Sequence, residues 1–300
     1  EFIKSGTPVA GILTKCDLPE NPDSNKYFKS NSIPFHRFNP NVPQARTELI
    51  HFIGTHLPAE NEDTLLSDLL SPADTVIMVV PIDLGAPKGR IIKPQVFAIR
   101  EALDSHAIVL VCKDSELAQC IKCLASPPKL VLTDSQAIMR VAPLVPKETK
   151  VSTFSILTAR FKGDLKKMIL GLKRIEELKD GDTVIISEAC THHASSDDIG
   201  RVKIPRWVSE YTGKNLNFIH HQGNSFPAEL HNVAMIIHCG GCMITEKAMQ
   251  QRLKTAALYD VPLVNYGIII SYIHGAMPKV IEAFPEALQA WQETHAAPAV

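Results

Sequence analysis

Two short motifs constrain this chain most: Cys190-x-His192 and His238-Cys239-x-x-Cys242. Each follows an apolar run, residues 184–186 and 234–237, and such runs read as buried strands. A fold that gathers thiols and imidazoles from two such distant places has to bring the ends of both strands together. The C-terminal ends of strands are where α/β folds present their sites. Gly240 and Gly241 make the turn between Cys239 and Cys242 and let the backbone wrap closely. Both sulfurs can then face one ion or cluster. Thr245 is placed to cap the next helix, with Glu246 in its first turn.

Three thiolates and several histidines suit Zn²⁺ or an iron–sulfur cluster, and spacing alone does not choose between them. Three cysteines and one weaker ligand would leave one cluster iron exchangeable. The candidates for that fourth position are His192, His238 and Glu188, the last lying two residues before Cys190 on an extended segment. His193, His220, His221 and His231 are candidates to orient the ligands. The bland alternative is a set of buried thiols with incidental histidines, but it suits a lone C-x-x-C better than two paired motifs. Cys120-x-x-Cys123 falls in a predicted helix without further ligands and reads as structural. Cys112 ends an apolar run and reads as a core residue.

Charge and cysteine usage exclude several classes. A formal net charge of -1 argues against a nucleic-acid binder, which needs a basic surface. No apolar run reaches the roughly 18 residues of a membrane span. The seven cysteines are an odd number and no secretory signal precedes them, which points to a reducing, cytoplasmic compartment. The chain has no initiator Met, implying a start inside a longer protein.

Three segments follow from the alternation of apolar runs and helical stripes. Residues 1–60 carry a strand at 8–13, a polar loop, a strand at 33–38 and a helix at 43–56. Residues 62–146 alternate strand and helix on a scale of about ten residues, which predicts a small parallel sheet. Its exposed edge would seek a partner chain. Residues 147–300 hold the cysteine motifs, with strands expected at 183–186, 215–220, 233–237 and 261–265, and a loop at 191–206.

Thr14-Lys15-Cys16-Asp17 follows the first apolar run. An Asn/Thr-Lys-x-Asp sequence at a strand end reads guanine in GTPases, the Asp carboxylate accepting from the base and the Lys stem packing on it. No G-x-x-x-x-G-K-[ST] loop occurs in the chain, so phosphates have no cradle here.

With these residues in place, the chain resembles the HydF family of [FeFe]-hydrogenase maturation factors. The likeness spans essentially all of it. Its most specific part is the C-x-H…H-C-x-x-C motif. Further similarity lies in Pro81-Ile82-Asp83-Leu84-Gly85-Ala86-Pro87-Lys88-Gly89-Arg90, in Thr133-Asp134-Ser135-Gln136 and in Phe161-Lys162-Gly163-Asp164-Leu165. The resemblance implies three parts: a remnant of a P-loop-type GTPase domain, a dimerisation domain and an α/β cluster domain. It implies a [4Fe–4S] cluster on Cys190, Cys239 and Cys242. It also implies a scaffold that carries the two-iron precursor of the hydrogenase active site, working with radical-SAM maturases and delivering to apo-[FeFe]-hydrogenase. The expected assembly is a homodimer, in the cytoplasm or in the matrix of a hydrogen-producing organelle. Nucleotide binding by Thr14, Lys15 and Asp17 belongs to the full-length protein, the only form expected to use GTP. Thr14 departs from the usual Asn.

Two other readings stay open. One is a zinc hydrolase with Glu188, Asp197 or Asp198 as general base; the other is a zinc-stabilised dimeric interaction module. Arg201, Lys203 and Arg206 either attract an anionic precursor or form a solvated face.

Overall fold

Short apolar runs interrupted by helices dictate parallel pairing, because two adjacent parallel strands need a crossover between them. The computed structural model describes residues 9–19, 22–56, 64–82, 91–190, 198–223 and 226–295, and every strand ladder among them is parallel. The α/β expectation holds. The chain divides into two compact units, Glu1–Glu62 and Asp63–Val300.

In the first unit, β1 (Gly11–Leu13) pairs with β2 (Phe35–Arg37), Gly11 opposite Phe35. The stretch read as a polar loop contains the helix Pro22–Ser30. Its polar composition hides the helical period, but Phe28 stacks on Phe35 at 5.3 Å and ties it to β2. The helix expected at 43–56 is Ala45–His56.

The second unit holds two four-stranded sheets. The first contains β3 (Thr75–Val79), β4 (Ile108–Cys112), β5 (Leu130–Thr133) and β6 (Lys150–Thr153), in the order β4-β3-β5-β6. Val76 to Val79 are fully buried, as befits a central strand covered on both faces. β6 is the strand that the apolar pattern misses. Lys-Val-Ser-Thr carries one aliphatic residue, and tertiary bonds hold it, with Ser152 Oγ donating to the Val280 carbonyl at 2.7 Å.

The second sheet contains β7 (Thr183–Glu188), β8 (Asn217–Gln222), β9 (Val233–His238) and β10 (Leu263–Asn265), in the order β10-β9-β7-β8. Counted along the chain within each sheet, both orders read 2-1-3-4. Connections leave the first strand in one direction and the third in the other, so each sheet has a switch point between its first and third strands. In the second sheet that point lies between β7 and β9. The predicted loop at 191–206 is helical in its later part, with a π-turn at Ile199–Lys203 running into the helix Ile204–Thr212. The two sheets share one hydrophobic core. Among the described residues, no helix is long and apolar enough to cross a membrane.

Candidate metal centre

Cys190 and Cys239 emerge at the switch point of the second sheet. β7 and β9 are neighbours, with Ser187 opposite His238, so the residues that follow each strand leave the sheet at the same edge. The Cys239 amide donates to the Ser187 carbonyl at 2.8 Å and extends the ladder one step past the strand. The Ala189 amide donates to Cys239 Sγ at 3.1 Å, and the Gly241 amide donates to the same sulfur. Backbone N–H groups aimed at a sulfur favour its thiolate.

The turn that brings Cys242 back depends on Gly241, whose φ is 64°, a region that L residues seldom occupy. Gly240 has a negative φ and open space around it, so one glycine, not two, shapes this turn. Beyond it Thr245 Oγ1 accepts from the Ala248 amide at 3.2 Å and caps the helix Glu246–Leu258. The cap expected from sequence is present. Behind the turn, Lys162 Nζ donates to the carbonyls of Gly241 at 3.0 Å and Ile244 at 2.9 Å.

The three thiols feel one another. Burial pushes the Cys190 thiol up, and Cys242, Glu188 and Asp198 push it further. Cys239 is pushed up to about 11, chiefly by burial; the Ala189 and Gly241 amides pull it down, while Cys190 and Cys242 push it up. Crowded thiolates repel unless a cation joins them, and this is the chemistry of a thiolate-rich metal site. Among the described residues, no three or more His, Cys, Asp or Glu side chains are drawn together closely enough to hold a metal ion. The cysteines are gathered at one sheet edge but not closed on a common point. Their number, their shared edge and the N–H donors on Cys239 fit a thiolate-bound metal or cluster.

The fourth-position candidates differ. His192, with His193 and Asp197, lies outside the described residues. His238 is fully buried. Its Nδ1 donates to the Cys239 carbonyl at 2.5 Å, and its Nε2 accepts from Arg252 Nη1 at 2.7 Å. Arginine has only donors, so this imidazole is neutral with its proton on Nδ1. Burial, with Arg252 assisting, pushes its pKa down to about 4 against the effect of the Cys239 carbonyl. Both nitrogens are engaged within the protein, so the ring holds the strand end in place. Arg252 in turn donates to the Gly223 carbonyl at 2.9 Å.

Glu188 is also buried. Gln222 Nε2 donates to its Oε2 at 2.9 Å and Tyr266 Oη donates to its Oε1 at 3.2 Å. Burial and then Glu188 raise the Tyr266 pKa well above its ordinary value, so the phenol keeps its proton and donates. Asp198, one of the general-base candidates, is buried and caps the π-turn by accepting from the Arg201 amide at 2.8 Å. His220 lies opposite Ile186 on β8; burial and then Arg201 lower its pKa. Lys203 donates to Gln136 at 3.2 Å and Arg206 pairs with Glu210 at 3.9 Å, so both cations have protein partners. His231 rests edge-on against Tyr259. In the first unit, Thr14, Lys15 and Asp17 directly follow β1; the Leu18 amide donates to the Lys15 carbonyl at 3.0 Å, closing a turn.

Sequence reasoning missed Lys162, Arg252, Tyr266 and Gln222 as parts of this region. Arg252 left a trace: it shares a helix face with buried Met249 and Ala256, and a cation on an apolar stripe implies a buried partner. Lys162 left another, inside the Phe161–Leu165 similarity that had no function attached to it.

Comparison with known families gives two matches. The model described as the hydrogen maturase F dimerization domain matches residues 65–163, and the one described as its tetramerization domain matches residues 166–283. No curated protein matches the chain.

Proposed function

Because the chain belongs to the hydrogen maturase F family, whose role lies in hydrogenase maturation, we propose that Cys190, Cys239 and Cys242 hold a [4Fe–4S] cluster on which a two-iron precursor is carried to apo-[FeFe]-hydrogenase. The observation that carries this reading is the meeting of Cys190 and Cys239 at one switch point, with two amides directed at Cys239 Sγ. When bound, such a cluster would supply one iron without a protein thiolate, and an exchangeable position suits a carrier better than a plain electron-transfer centre.

The chain's own residues have separable parts in this scheme. Cys239 is held from the backbone side by the His238–Arg252 pair. Glu188 sits beside Cys190 with its two oxygens bonded by Tyr266 and Gln222, so it is positioned to serve the fourth position or to restrain what occupies it. The role of Thr14, Lys15 and Asp17 in reading guanine belongs to the same proposal, for the protein with its P-loop.

Dimerisation is assigned to the first sheet, at β4. β4 is an edge strand with Ile108 and Val111 about half exposed, and such an edge pairs readily with a second copy.

The test is anaerobic reconstitution with iron and sulfide, then EPR of the reduced protein and of C190A, C239A and C242A. A reduced [4Fe–4S] signal that each substitution abolishes is the expected result. Tightly held zinc with no cluster would replace this reading by a zinc site.

A further inference from the structure

Lys162 belongs to a stretch singled out by similarity and left without a task. Its side chain is about nine-tenths buried, and a buried ammonium is costly unless paired and hydrogen-bonded. It sits at the C-terminal end of the helix Phe154–Lys162, where the helix dipole favours a cation. Two of its three donors go to the Gly241 and Ile244 carbonyls, the two ends of the turn that carries Cys242. Burial lowers its pKa, Cys242 raises it, Lys93 lowers it and Cys239 raises it, so both turn cysteines lie within electrostatic reach. Lys162 and Cys242 together line a cleft of about 330 Å³, whose other walls are Leu65, Pro94, Phe97 and Phe161 with Arg100, Glu101, Asp104 and Thr158. The apolar walls flank the ammonium, and Arg100 and Asp104 in the same lining pair with each other.

We propose that Lys162 is the resident counter-charge of the metal centre, clamping the Gly241–Ile244 turn from behind and favouring the reduced form of a cluster held by Cys239 and Cys242. The inference rests on the cluster reading above. It follows from charge: a thiolate-bound cluster gains one negative charge on reduction, and a cation fixed on the turn that carries Cys242 stabilises the more negative state. Lys162 is a positioning residue, since it acts through the turn and through space rather than as a ligand. Lys93 is a second cation nearby; its like charge works against the protonated form of Lys162, and of the two lysines it is Lys162 that bonds the Gly241 and Ile244 carbonyls.

The experiment is an EPR-monitored redox titration of the reconstituted chain, comparing wild type with K162Q and K162R. K162Q keeps amide donors for the carbonyls and removes the charge; K162R keeps the charge. We expect K162Q to shift the equilibrium at least tenfold against reduction, about 59 mV for one electron, and K162R to stay within about threefold of wild type. Should K162Q lose the cluster altogether while K162R retains it, the charge role is supported, since the Gln amide still supplies donors to the turn. An unchanged potential in K162Q overturns this inference and leaves the cluster reading intact. A wild-type chain that assembles no cluster overturns both.

Discussion

His238 is a motif residue whose geometry argues for support rather than ligation. Its neutral ring links Cys239 to Arg252, and removing either partner strands a buried polar group. R252M leaves His238 Nε2 and the Gly223 carbonyl without their donor, and unpaired buried groups cost about 1–3 kcal/mol each. We expect a urea midpoint lowered by at least about 1 kcal/mol equivalent; an unchanged midpoint would refute the buried network. The imidazole also predicts a pH dependence. Its folded pKa is about 4, below the roughly 6.5 of an unfolded chain, so the unfolded state binds more protons between those values. The stabilisation is complete above about pH 6.5 and is lost as pH falls towards 4, a change on the order of 3 kcal/mol. Urea unfolding of the metal-free chain at pH 7 and pH 5 captures roughly 2 kcal/mol of this change, and H238Q should flatten the slope. At this scale the sequence was legible for the cysteines, because thiol spacing after apolar runs is a local signal. It was silent on Lys162 and Tyr266, whose roles depend on residues 79 and 78 positions away.

Among elements, the π-turn Ile199–Lys203 is tightly fitted against the site. A Cβ on Gly200 would come within 2.3 Å of Tyr266 Oη and 2.6 Å of Glu188 Oε1. G200A must therefore push the phenol or the carboxylate aside, and overpacking of this kind costs about 1–3 kcal/mol. The expected result is a lowered melting temperature that Y266F, by removing the hydroxyl, partly restores. No recovery in the double variant would show that the clash lies elsewhere. T245A should cost about 1 kcal/mol through loss of the helix cap. Elements with strong apolar runs were readable within a residue or two, such as β7 and β9. The helix Pro22–Ser30 and β6 were not, because single aromatic or backbone contacts hold them rather than a repeating apolar face.

The whole second unit repeats one sheet plan twice, and the halves differ in what they leave open. The first sheet has an apolar edge at β4, so V111K should weaken self-association by placing a charge on it. Size-exclusion chromatography with light scattering should report a smaller mass than wild type at equal concentration; an unchanged mass would place the dimer contact elsewhere. Strand alternation made the parallel class of both sheets foreseeable. Their common 2-1-3-4 order was not, since order depends on which side each crossover takes.

The second sheet takes its two thiol-bearing ends from its first and third strands, with β8 laid outside them. Cys190 therefore precedes Cys239 by 49 positions, with β8 between them in the chain. The pairing of β9 with β7 is what sets the strand ends before Cys190 and Cys239 side by side. A chain whose third strand has not yet paired with its first therefore presents Cys190 apart from Cys239 and Cys242, and the spacing of these thiols reports whether the sheet has closed in register.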